Sequence, residues 1–162
     1  MKKLQVAVMA LNKILVIAFS IILMGCFAST RPFSKSPLDP EGFRGIKWGT
    51  DIATLKDMVF VMATGKNVKR YQRKGDELTI GKAKLDSIQY EFRNGRFCLV
   101  EIEFQGVENF NLVKETMFET YGKGRKMADN TESYFWEGEK TDIIMIFDTD
   151  IGGGITISSK KF

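Results

Sequence analysis

The sequence contains no histidine. Imidazole is the usual neutral-pH base and the commonest metal ligand. Its absence excludes Ser-His and Cys-His nucleophilic sites and most zinc sites. Cysteine is scarce, with only Cys26 and Cys98. Proline is confined to one stretch, at Pro32, Pro37 and Pro40. A long hydrophobic run is also missing. The apolar stretch Ile14–Met24 is 11 residues long and is interrupted by Ser20. A spanning helix needs roughly 20 apolar residues, so this run is too short to cross a bilayer.

What is present starts at the N-terminus. Lysines stand at Lys2, Lys3 and Lys13, the apolar run follows, and polarity resumes at Ser29. A basic start, a short apolar core and a small residue at its end are the parts of a secretory signal. The run closes on Leu23-Met24-Gly25-Cys26, which resembles the lipobox of bacterial lipoproteins. The resemblance implies cleavage between Gly25 and Cys26, a diacylglycerol on the Cys26 thiol and acylation of the new amine. Cys26 is then the lipidation site, and the membrane is the partner. Two or three acyl chains hold a protein stably where one holds it marginally. Phe27, rather than Asp, after the cysteine resembles outer-membrane sorting in enteric bacteria, so the expected address is the periplasmic face of the outer membrane. With Cys26 lipidated, Cys98 has no partner and a disulfide framework is excluded.

The formal charge of +4 belongs mostly to the leader. Three of the 24 basic residues and none of the 20 acidic ones precede Cys26, so the remainder carries 21 against 20. Such a balance gives no reason to expect nucleic acid as a partner.

Three segments follow. Residues 1–25 are the signal peptide. Residues 26–41 are the lipidated cysteine and a Pro/Ser-rich tether, whose prolines block helix and ladder alike. Residues 42–162 are one domain, long enough to bury a core. Within it, Phe43 to Trp48 alternates like a strand. Thr50 or Asp51 can cap a helix bearing Ile52, Leu55, Val59 and Met62, stopped at Gly65. Leu85–Arg93 and Arg96–Phe104 alternate on either side of Asn94-Gly95, a type I′ hairpin signal. A second helix is expected over Asn109–Tyr121, with Phe110, Val113, Met117 and Tyr121 as its stripe. Strands follow at Ser133–Glu137, Thr141–Asp148 and Ile155–Ser158. The unbroken run Ile143–Phe147 reads as the most buried, central strand. The expected fold is α+β, with two helices packed on an antiparallel β-meander sheet. Both halves run helix then strands, which suggests a tandem duplication.

Phe43-x-Gly45-x-x-Trp48-Gly49 before a helix resembles the opening of small uncharacterised bacterial envelope proteins. The tethered helix-plus-meander plan is similar to the small lipoprotein of the outer-membrane assembly machine (the SmpA/OmlA type) and to β-lactamase-inhibitor-like folds. The resemblance covers Gly42 onward and carries no functional residue with it.

Several residues could bear chemistry. Asp148-Thr149-Asp150 starts like a calcium loop, but Ser159 stands where the closing glutamate should be, so a solvated turn is expected. Gly152-Gly153-Gly154 precedes a strand rather than a helix, which makes it a hairpin turn and not a phosphate cradle. Lys66, Lys69, Arg70, Arg73 and Lys74, with Lys82 and Lys84 nearby, form a basic cluster. It can meet anionic headgroups, a glycan or an acidic partner, or serve as a solvated edge. Trp48, Trp136, Tyr90 and Phe92 read as core, or as the lining of a ligand groove. Cys98 reads as an inert core thiol. Glu101 and Glu103 share a strand face, and a carboxylate pair can do acid–base work when burial raises one pKa. No cofactor, metal or catalytic constellation is expected. The functional expectation is a non-enzymatic envelope interaction or scaffold module with an envelope protein partner. The alternatives are a small-ligand or glycan-binding lipoprotein and a carboxylate-based hydrolase.

Overall fold

The computed structural model describes residues 39–128 and 131–162. The signal, Cys26 and most of the tether lie outside the described residues. The first strand begins at Gly42, where the domain was expected to start.

The first departure from expectation follows at once. Instead of one strand, β1 (Gly42–Phe43) and β2 (Ile46–Lys47) form a small hairpin. Its turn is Arg44-Gly45, at φ 46° and 81°. The left-handed conformation costs glycine little, and it suits a type I′ turn.

The first expected helix does not exist. A single 3₁₀ turn spans Ile52–Thr54, capped by Asp51, whose carboxylate accepts the Ala53 amide at 2.9 Å. The chain then enters β3 (Met58–Gly65) and returns as β4 (Val68–Arg73). The spacing of Ile52, Leu55, Val59 and Met62 fits a helix, but Val59-Phe60-Val61 is a β-branched and aromatic run that packs best on a pleated surface. On a strand exposed on both faces, apolar periodicity carries no information about secondary structure.

A two-stranded side hairpin comes next, β5 (Thr79–Ile80) with β6 (Ala83–Lys84). Then β7 (Ser87–Arg93) and β8 (Arg96–Phe104) pair around Asn94-Gly95, at φ 51° and 76°. The only α-helix among the described residues, α1, spans Val107–Tyr121 between Gly106 and Gly122. After it come β9 (Arg125–Lys126), β10 (Glu132–Glu137), β11 (Thr141–Asp148) and β12 (Gly152–Ser159).

Eight strands form one antiparallel sheet in the order β3-β4-β7-β8-β12-β11-β10-β9. The fold is therefore mostly β with one helix, which overturns the α+β expectation of two helices on a meander. The tandem helix-plus-strands duplication fails with it, because the first half has no helix. Two four-strand runs instead meet where β8 pairs with β12.

α1 lays Phe110, Val113 and Met117 against one sheet face. Facing them are Ile102 and Phe104 of β8, Tyr134 of β10, Met145 of β11 and Ile155 of β12, all buried. The Phe110 and Phe147 rings stack at 4.4 Å. Burying each such side chain is worth roughly 1.5–3 kcal/mol relative to leaving it exposed. The opposite face carries the alternate residues, among them Gln89, Glu91, Leu99, Glu101, Phe135, Ile144 and Ile146. β11 is accordingly not the central strand. It lies third from the β9 edge, with Ile143 and Met145 buried and Ile144 and Ile146 only half-buried.

Candidate functional site: the basic edge hairpin and the open sheet face

The hairpin β3–β4 closes one edge of the sheet. β4 pairs with β7, while β3 pairs with β4 alone. Its ladder is irregular, with shifts between Phe60 and Met62 and between Ala63 and Gly65, so Val61 and Thr64 are bulged residues. Four consecutive large apolar side chains are uncovered there: Val59 is 43% exposed, Phe60 54%, Val61 40% and Met62 47%. Val59 and Met62 oppose Gln72 and Arg70, while Phe60 opposes Tyr71, so the uncovered residues lie on both faces of the edge.

Cations surround this strip. Arg73 holds the open end of the hairpin through Asp57, with Nε to Oδ2 at 2.6 Å. That bond holds the Asp57 carboxyl below the usual range. Arg70 turns to the open face. Its Nε donates to Glu91 Oε2 at 3.1 Å and its Nη1 pairs with Glu101. Lys56, Lys66, Lys69 and Lys74 are exposed. Among the described residues none of these four has an acidic partner. The expected basic cluster therefore divides: two arginines serve the fold, and the lysines remain free. Lys82 and Lys84 are not part of it. Lys82 stands in the β5–β6 turn and Lys84 ends β6, and the turn packs on α1 so closely that a Cβ on Gly81 would run into Thr116 Oγ1.

A cleft of about 210 Å³ opens beside the hairpin, lined by Ile52, Lys66, Asn67, Lys69, Tyr71, Phe92, Asn94 and Gly95. Two turns build its rim. The Asn94 amide donates to Asn67 O at 2.8 Å, and the Ile52 amide to Gly95 O at 2.9 Å. Tyr71 joins the cleft to the edge, with its ring 5.7 Å from Phe60 and 5.3 Å from Phe92, edge-on in both cases.

The four expected aromatics do not line one groove: Phe92 meets the cleft beside Tyr71, while Trp48 lies by a separate hollow with Phe162. Tyr90, Phe92 and Trp136 are buried, and Trp48 is half-buried against Phe97 at 4.7 Å. Both indole N–H groups donate inside the fold, Trp48 to Pro40 O at 2.8 Å and Trp136 to Gly122 O at 2.7 Å. Cys98 is a buried free thiol that donates to Glu91 O at 3.4 Å, and burial pushes its pKa up. A thiol in that state is a poor nucleophile.

Glu101 and Glu103 do lie on one face, but each is committed. Glu101 faces Arg70, and burial pushes its carboxyl up against the pull of that guanidinium. Glu103 accepts the Ser87 hydroxyl at 2.8 Å. Neither lines the cleft.

Asp148 forms a turn, as expected, with its Oδ1 accepting the amides of Asp150 and Ile151 at 2.8 and 3.1 Å. The three glycines do not form the turn. They are the first residues of β12, opposite Asp148, Phe147 and Ile146. A Cβ on Gly153 would sit 2.1 Å from the Phe104 ring, so glycine there makes room for a core side chain. Among the described residues, no group of three or more acidic or cysteine side chains could hold a metal ion. Among them also, no helix is long and apolar enough to cross a membrane.

Sequence reasoning missed the uncovered strip of β3, because it placed those residues on the buried stripe of a helix. The signal was present in the β-branched and aromatic content of Val59-Phe60-Val61. No family model, curated protein or solved structure matches this chain.

Proposed function

We propose that this chain is a bacterial envelope lipoprotein, anchored by acyl chains on Cys26 at the periplasmic face of the outer membrane, and that its β domain is a non-enzymatic interaction module. The leader supports the anchor: a basic start, an apolar core too short to span, and Leu-Met-Gly-Cys at its end. The single observation that supports an interaction role is the partition of side chains at the β3–β4 edge. Arg44, Arg70, Arg73, Asp57, Asp76, Glu91 and Glu101 are each held in ion pairs within the fold. The large apolar residues of β3 stay largely uncovered, with Phe60 touching only the edge of Tyr71. That is a surface suited to association rather than to turnover.

The test of the anchor is Cys26→Ser followed by membrane fractionation. Movement of the chain into the soluble fraction is expected. A variant that stays wholly membrane-bound after a high-salt wash, which releases chain held at the surface by charge, overturns lipid anchoring.

A second reading, a small-ligand or glycan-binding lipoprotein, is favoured by the convergence of Tyr71, Asn67, Asn94 and two lysines on the cleft. Its volume of about 210 Å³ falls below the roughly 300–1,000 Å³ of ligand pockets, which leaves room for a phosphate-sized group and not for a sugar chain.

A further inference from the structure

We infer that the β3–β4 hairpin is a second membrane contact: it docks edge-on against an anionic bilayer surface, with Val59, Phe60, Val61 and Met62 at the headgroup–acyl boundary and Lys56, Lys66, Lys69 and Lys74 against the lipid phosphates. This deepens the interaction reading by naming the partner of that edge. It does not depend on acylation of Cys26.

Three occupants compete for an uncovered apolar edge, and the residues decide among them. A second copy would bring two sets of four free lysines together, and like charges facing each other oppose pairing. An extended peptide would need a regular ladder, and the bulges at Val61 and Thr64 break one. Bulges of this kind are how edge strands resist strand addition. A lipid surface needs neither self-complementary charge nor a straight ladder. It needs apolar side chains presented together, with basic groups beside them.

The arrangement supplies both. The uncovered residues project from both faces of the strand, so the edge enters as a wedge rather than lying flat. Lysine stems can lie along apolar surface while their ammonium groups stay at the phosphates. Each lysine near an anionic surface adds to the attraction. The unpaired amides of β3 set the depth. Bare backbone groups are costly in hydrocarbon, so the hairpin stops about 5–10 Å into the boundary. The cleft adds a place for one phosphate, between Lys66, Lys69 and the Asn67 and Asn94 side chains, contiguous with the strip through the Phe60–Tyr71 contact. The tether permits the contact. Residues 27–38, fully extended at roughly 3.3 Å per residue, span about 40 Å, so an anchored domain stays within reach of the surface.

The experiment reconstitutes the full chain into phosphatidylcholine vesicles with and without phosphatidylserine, and reads tryptophan quenching by brominated acyl chains as a difference from wild type. Phe60→Trp and Met62→Trp report on the hairpin, two positions being used because Phe60 touches Tyr71. Val107→Trp is the control, on a side chain 53% exposed at the start of α1. In anionic vesicles the hairpin positions are expected to be quenched at least about twice as strongly as position 107. The excess is expected to disappear with Lys66→Glu/Lys69→Glu and at high salt, where surface attraction is screened. Equal quenching at 60, 62 and 107, an excess indifferent to lipid charge, or a concentration-dependent shift at 60 and 62 without vesicles, which marks pairing with a second copy, overturns the proposal. Because the three variants share the same anchor and differ only in where the tryptophan is placed, this result is separate from that of Cys26→Ser, which reports on the anchor.

Discussion

The Tyr90 hydroxyl donates to Asp76 Oδ2 at 2.5 Å, joining a fully buried strand residue to the loop that precedes β5. The other oxygen of Asp76 takes Arg44 Nη1 at 2.6 Å, and the Arg44 guanidinium also donates to Glu77 O and Thr79 O. The β1–β2 hairpin, the loop before β5 and the centre of β7 are thereby tied at one carboxylate. A hydrogen bond to a charged group contributes about 1.5–3 kcal/mol. Tyr90→Phe is expected to cost about that amount in urea unfolding, and Asp76→Ala more, since it also takes away the carboxylate that balances Arg44.

The same contact sets an alkaline limit on stability. Burial, with the bond to Asp76 adding to it, pushes the Tyr90 pKa well above its ordinary value. Tyr134 is pushed up to about 12, by burial and by its bond to Glu132. Both pKa values are raised on folding, so the native state holds these protons more tightly than the unfolded chain does. Their contribution is complete below the unfolded value of about 10 and is lost as pH rises past it through the folded values. Stability measured in urea is expected to be level through neutral pH and to fall steeply above about pH 10. The fall should be shallower in Tyr90→Phe. An equal slope in the variant would show that Tyr90 is not the titrating group.

Among the described residues Arg70 is the cation that pairs with Glu91, which is 7% exposed. Arg70→Met removes the partner of that buried carboxylate and of Glu101 together. A loss of about 1–3 kcal/mol is expected at neutral pH. Glu101→Gln should cost less, because burial already disfavours the charged form of Glu101 and Arg70 keeps Glu91. If Glu101→Gln is the worse of the two, the assignment of Arg70 as the organising residue is wrong.

Gly153 and Gly154 are neighbours in β12 with opposite surroundings. A Cβ on Gly153 runs into the Phe104 ring, whereas on Gly154 its nearest neighbour is Ile102 O at 3.7 Å. Gly153→Ala overpacks the core and is expected to cost about 1–3 kcal/mol. Gly154→Ala is expected to be neutral, or to stabilise by up to about 1 kcal/mol through the unfolded chain. Thermal unfolding of the pair decides it.

Much of this architecture was legible in the sequence, and the failures have a common cause. Asn94-Gly95 marked the β7–β8 hairpin, because both residues tolerate the left-handed conformation of a type I′ turn. The stripe Phe110, Val113, Met117 and the stop at Gly122 placed α1, since helix periodicity is unambiguous where one face is buried. The alternation Ile155-Thr156-Ile157-Ser158 marked β12, with Ile155 and Ile157 on the core face. The missing helix at Ile52–Met62 arose where that logic has no purchase. β3 is wet on both faces, so its apolar residues were placed by neither period, and intrinsic β preference decided. The Ile143–Phe147 run misled in a related way, because its outward half lies on an open face that still shields it partly. At the site, the lysines were visible in the sequence. Which cations were free was not, because Arg70 and Arg73 are neutralised by residues far along the chain.

Mass spectrometry of the N-terminal peptide, from protein extracted from membranes, reads the proposed anchor at Cys26 itself. A mature chain beginning at Cys26, with the added mass of a diacylglycerol and an amide-linked acyl chain, is expected. A peptide that retains the Gly25–Cys26 bond, or one that begins elsewhere with an unmodified thiol, would contradict it.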